Sequence, residues 1–201
     1  MIDFIREKGW NKRFWYRSKR ITPKDSITYN ITNGVVELTE NILEQYGSLP
    51  HEGLVFWAGN IEKETINVTH VIAPETDSSE GRVTVLPESN FHVVKALSNS
   101  RIIHIGQVHT HPGSWVDHSN GDNKWASFKK NGLISLVVPR YCRNGMLPIS
   151  RSGIHRFQNG RFIRLSNKYV NRHFKIIEGT GEIIDLRNKS DLRWKQQNGM
   201  I

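Results

Sequence analysis

Between Gly106 and Asp122 the chain reads GQVHTHPGSWVDHSNGD, which gathers three of its nine histidines, two aspartates and two serines around one proline. His109 and His111 end RIIHIGQVHTHP, a segment that alternates as a strand should. Side chains two apart on a strand share a face, so Ile103, Ile105, Gln107, His109 and His111 are expected to point one way. His104 is expected on the opposite face as a packed core histidine, and Pro112 stops the ladder. Two imidazoles leaving one strand face side by side can bind one small cation. A catalytic zinc usually takes three protein ligands and keeps a fourth position for water.

The third ligand must come from the following loop or helix, which offers Asp117, His118 and Asp122. Geometry favours Asp122. SNGDNKWASFKK begins like a helix, with Ser119 as N-cap and Asp122 as the third helical residue. A carboxylate in that first turn is also stabilised by the positive end of the helix dipole. The Ser119 hydroxyl would sit beside it, aimed toward the strand end. A metal-dependent hydrolase needs a general base as well. Glu52 opens the apolar run HEGLVFWAG, where an unpaired carboxylate is costly unless a site uses it.

With Glu52, His109, His111, Ser119 and Asp122 assembled, the chain resembles the JAMM (JAB/MPN+ domain) metalloproteases. Their signature is an upstream glutamate, then His-x-His-Pro, six residues and Ser-x-x-Asp; here HTHP, GSWVDH and SNGD meet that spacing in full. The resemblance implies that His109, His111 and Asp122 bind one Zn²⁺, that Glu52 is the acid/base acting on a water, and that Ser119 hydrogen-bonds the oxyanion. It implies cleavage after the C-terminal glycine of a ubiquitin-like protein, from conjugates or precursors. Prokaryotic JAB proteins occur beside E1- and E2-like enzymes in antiphage conjugation systems, and those forms are the more similar ones. The implied fold is an α/β one, a mixed α+β sheet flanked by helices with the JAB/MPN, cytidine-deaminase-like architecture.

Other residues near the motif carry narrower expectations. RVTVL is expected to be an edge strand that takes an extended substrate tail through Thr84 by strand addition. Trp115 could pack over a Gly-Gly tail or plug its own loop, and His118 could contact substrate or the metal-bound water. Cys142, Arg-flanked and without a histidine near it in sequence, reads as a bland free thiol.

The elements that must position these groups follow from pattern. SITYNI reads as a strand and GVVELTENILEQYG as a helix ending at Gly47. HEGLVFWAG and INVTHVIAP read as strands joined by NIEKET. PESNFHVVKALSNS reads as a helix opened by Pro87, with Phe91, Val94 and Leu97 as its apolar positions. GLISLVVP is a continuous apolar run suited to a central buried strand. SGIHRFQNGRFIRLS predicts a hairpin at Asn159-Gly160, and HFKIIEGTGEIIDL another at Gly179-Thr180-Gly181. These readings give a basic arm over residues 1–24, a metalloprotease domain over 25–165 and an extension over 166–201.

The 201 residues are 37% hydrophobic and 23% charged, which fits a globular protein. No apolar run approaches the about 18 residues that a membrane span needs. The N-terminal segment lacks a signal-peptide core, and a single cysteine excludes four-cysteine zinc sites, so a reducing cytoplasm is expected. The net charge is +9, and residues 1–24 carry eight Lys/Arg against two acids. That arm could touch nucleic acid or an acidic surface, but it reads first as a solvated segment anchored by Trp10, Phe14 and Trp15. Nucleic acid is a disfavoured partner, because the remainder carries little net charge and no binding motif. Two other functions compete: a non-catalytic MPN-type scaffold, which has no need of Glu52 plus three ligands, and a zinc hydrolase acting on a sulfur-carrier fusion.

Overall fold

The computed structural model describes residues 20–188. The arm's expected anchors Trp10, Phe14 and Trp15 lie outside the described residues. A nine-stranded mixed sheet organises the chain, flanked by helices, as the α/β expectation required. Its strands are β1 (Thr28–Thr32), β2 (Leu54–Glu62), β3 (Thr65–Ala73), β6 (Ile103–Thr110), β7 (Ile134–Val138), β8 (Gly153–Gln158), β9 (Arg161–Arg164), β10 (Phe174–Ile177) and β11 (Glu182–Asp185). The order is β10-β1-β3-β2-β6-β7-β8-β9, with β11 also on β3. A separate hairpin, β4 (Thr76–Ser79) with β5 (Arg82–Val85), stands beside it.

Both faces of β2 are buried, which is why LVFWA is continuously apolar. Val55 and Trp57 pack toward helix α1 (Asn33–Ser48), together with Val35, Ile42 and Leu43. Leu54, Phe56 and Ala58 pack toward the hairpin and helix α2 (Pro87–Ser100). Thr32 caps α1, its Oγ1 accepting from Val35 N at 3.3 Å. The spans of α1 and α2 follow the sequence pattern closely, but the buried side of α2 does not. Ser89 and Val93 are buried, whereas Phe91 and Val94 are 68% and 52% exposed. Helical periodicity shows that a stripe exists without showing which residues a neighbour covers.

The alternation expected along β6 fails at one point. A bulge in its pairing with β2, between Trp57 and Ala58, turns Ile105 into the α1-side core with Val108. His104 therefore lies on the same side as His109: it pairs opposite Ala58, and its ring sits 5.2 Å from Phe56 and 4.6 Å from Phe128. It is a packed histidine, and burial pushes its pKa down to about 4.

The Asn159-Gly160 hairpin forms, with φ of 51° and 82° at the two turn residues. The second expected hairpin does not. β10 pairs in parallel with β1, and β11 in parallel with β3. The glycines between them serve a close approach instead. A Cβ on Gly34 would meet Gly181 N at 2.3 Å, and Gly34 N donates to Gly179 O at 3.1 Å. Residues beyond 165 also form helix α4 (Asn167–His173), whose Tyr169 and Val170 join Phe174 in the core. No helix of the described residues is long and apolar enough to cross a membrane.

Candidate metal centre

β6 delivers His109 at its end, and His111 keeps the extended course through His111 N donating to Val138 O at 2.9 Å. Next to it, Gly53 is tied twice to Thr110: Thr110 N donates to Gly53 O (3.0 Å), and Gly53 N donates to Thr110 Oγ1 (2.8 Å). That lattice holds Glu52, one residue before Gly53, beside the two histidines. Glu52 precedes β2 and is only 4% exposed.

The third contributor is helix α3 (Asn120–Trp125), which opens on the expected capping box. Ser119 Oγ accepts from Asp122 N at 3.0 Å, and Ser119 N donates to Asp122 Oδ2 at 2.6 Å. The box aims the Asp122 carboxylate at the strand end, with Oδ1 3.5 Å from His109 Nε2 and Oδ2 3.3 Å from His111 Nε2. Ligand atoms of His109, His111 and Asp122 all lie within 4.8 Å of one another, a group that could hold a metal ion.

Ring tautomers support that reading. His111 Nδ1 lies 3.1 Å from the Trp115 carbonyl, which can only accept, so Nδ1 carries a hydrogen and Nε2 is the nitrogen left to face Asp122 and a metal. No hydrogen bond reaches either ring nitrogen of the buried His109. Its Nε2, unpartnered and facing the Asp122 carboxylate, fits a cation between the two.

The alternatives in the loop have other partners. Asp117 accepts from Arg164 Nη1 at 2.6 Å in a buried ion pair. His118 turns inward: its Nε2 is 2.9 Å from Ser135 Oγ and its ring 4.1 Å from that of His155. It is not among the residues that line the groove beside the metal group. Burial holds the pKa of His118 well below the usual imidazole value, with His155 adding to the effect.

Charge is concentrated in the open site. Burial, opposed by His111 and reinforced by Asp122, pushes the Glu52 carboxyl up to about 8. Asp122 is the reverse case, because burial is outweighed by His109 and His111 and its pKa falls far below the carboxylate range. Burial lowers His111, yet the hydrogen bond and charge of Asp122 win and its pKa is raised. Cys142 is buried and its thiol is pushed up to about 12 by desolvation, as an inert thiol should be.

A groove of about 790 Å³ opens over these groups, walled by Leu54, Val83, Val85, Trp115 and Trp125. Thr84 lies on this wall, and its strand β5 pairs only with β4 among the described strands. Trp115 stacks on His111, with ring centroids 5.1 Å apart and planes at 13°. Sequence reading missed the polar layer beneath. Gln107 Nε2 donates to Ser135 Oγ at 3.1 Å, leaving the Ser135 hydrogen for His118 Nε2. It also missed Tyr141, whose signal, an aromatic in a polar stretch straight after a buried strand, was present but had no visible partner.

No family model matches the chain. A curated protein of Sinorhizobium fredii, "Probable metalloprotease y4jG", is 26% identical over 124 residues, covering 60% of this chain and 76% of its own. A solution structure of the Desulfitobacterium hafniense protein DSY2949 superposes with a TM-score of 0.57 at 16% identity, covering 76% of this chain and 94% of that one. The first links a possible His-His-Asp metal site to a protein named for metal-dependent proteolysis, and the second shows the fold alone.

Proposed function

We propose that the chain is a zinc-dependent peptidase of the JAMM type, cleaving the bond after the C-terminal glycine of a ubiquitin-like protein, in a conjugate or a precursor. The observation that carries this reading is the convergence of His109, His111 and Asp122 within 4.8 Å beside the buried Glu52. The Sinorhizobium relative's name supports the protease class.

His109 Nε2, His111 Nε2 and an Asp122 oxygen would hold the zinc, the histidines giving up any proton on Nε2 as it binds. When bound, zinc supplies Lewis acidity toward the scissile carbonyl and lowers the pKa of a water toward about 7. Glu52, whose carboxyl burial pushes up to about 8, would be available as the base form at lower pH beside such a positive charge. Glu52 removes the proton of the attacking water as its oxygen bonds the carbonyl carbon. The same carboxyl then gives that proton to the amine nitrogen as the C–N bond breaks. Ser119 Oγ accepts from Asp122 N, so its own hydrogen remains free for the developing oxyanion. The apolar groove receives the extended tail, with β5 as the strand it pairs against. A pathway partnership with E1- and E2-like enzymes follows from such a substrate.

The test is cleavage of a ubiquitin-like protein fused through Gly-Gly to a reporter. Zinc-loaded wild type should release the reporter, and chelation or Glu52→Ala should abolish release. Equal cleavage by Glu52→Ala would rule the mechanism out.

A further inference from the structure

Arg140, Tyr141 and Cys142 follow β7 with φ of 55°, 54° and 65°, three successive non-glycine residues in the left-handed region. Each such residue costs about 1 kcal/mol or more, and a run of them persists only when its surroundings over-determine it. The surroundings here are the walls of the metal site. Tyr141 N donates to the carbonyl of His111 and Arg140 N to that of Gly113, both at 2.9 Å. From the same residue, the Tyr141 hydroxyl runs the other way and donates to the Glu80 carbonyl at 2.7 Å, 61 residues distant. The ring is 6% exposed, and the Arg143 guanidinium lies 5.5 Å from its centre.

Glu80 is the tip of the β4–β5 hairpin. The neighbouring Ser79 carbonyl accepts from Glu52 N at 2.8 Å. Two adjacent tip carbonyls are thus held, one by the backbone of Glu52 and one by Tyr141. Val83 and Val85 anchor the body of the hairpin against the Leu54, Phe56 and Val93 cluster, and these two bonds are what fix its tip.

We propose that Tyr141 is a positioning residue whose hydroxyl fixes the β4–β5 hairpin against the loop of His111, holding the groove wall ready for an extended substrate. The proposal deepens the peptidase reading and rests on it for the substrate, while the tether itself is independent of catalysis.

Tyr141→Phe keeps the ring and removes only the donor. Hydrogen exchange in the substrate-free protein should quicken about five- to tenfold at residues 80–85, the worth of one net hydrogen bond. Zinc content should stay at the wild-type value, and the melting temperature should fall by no more than the roughly 2–4 °C that one net hydrogen bond is worth in a chain of this size. With a fluorogenic peptide ending in Gly-Gly-aminocoumarin, KM should rise by the same factor with kcat within about twofold. Unchanged exchange at 80–85 overturns the proposal, as does faster exchange with unchanged KM. If wild type cleaves no tailed probe, the peptidase reading falls, and exchange alone decides the tether. If Tyr141→Phe melts earlier by more than those few degrees and exchange in the central strands β6 and β7 quickens by more than at 80–85, the role is purely structural and the proposal fails.

Discussion

Glu52 combines two properties that seldom coexist in a stable protein, near-complete burial and no hydrogen bond or ion pair from the described side chains that would neutralise it. Its folded pKa of about 8 stands above the ordinary 4.5, so the proton is bound more tightly in the folded state. The metal-free protein feels no penalty below pH 4.5, loses stability as pH rises from 4.5, and carries the full penalty above about 8. Metal-free Glu52→Gln should therefore be about 1–3 kcal/mol more stable than metal-free wild type at pH 8, with no difference at pH 4, read by urea titration. The same variant should bind zinc and turn over nothing. Ser119→Ala should bind zinc, lose about 1 kcal/mol of cap, and lower kcat by about 10²–10³, read by steady-state kinetics. The capping box that sets Ser119 beside Asp122 was open to reading from residue type and spacing, because it is a local device. The Tyr141 hydroxyl was not, because its partner lies on another element.

The loop from Pro112 to His118 and the helix α3 divide two aspartates between two tasks. Asp117 neutralises the buried Arg164, and Asp122 faces the histidines. Asp117→Ala leaves Arg164 buried without its carboxylate, so it should cost about 3–5 kcal/mol by denaturant midpoint while a folded fraction still binds zinc. Asp122→Ala should do the opposite, keeping most of the stability and losing the metal. Elements with short-range signals, such as α1, α2, β7 and the Asn159-Gly160 hairpin, followed their patterns. The bulge in β6 did not, since it depends on register with β2 and nothing in RIIHIGQVHT marks it. Nor did the exposed side of α2, which is decided by what packs against it.

Closing the sheet draws on segments far apart in the chain. β10 lies against β1, Phe174 stacks on Tyr29 with ring centroids 4.3 Å apart, and β11 extends the same edge of β3. Such parallel pairings leave no short-range trace, so Gly179-Thr180-Gly181 resembles a turn when its glycines actually let the chain touch Gly34. A chain cut after residue 165 should fail to melt cooperatively, because it loses Tyr169, Val170 and Phe174 from the core. The whole architecture exists, on this reading, to bring three ligands and one base to a single point. Tightly bound zinc per chain, measured by elemental analysis after mild dialysis in wild type and Asp122→Ala, tests this without any substrate. About one zinc in wild type and little in the variant is the expected result; no zinc in either, even after incubation with the metal, would contradict it.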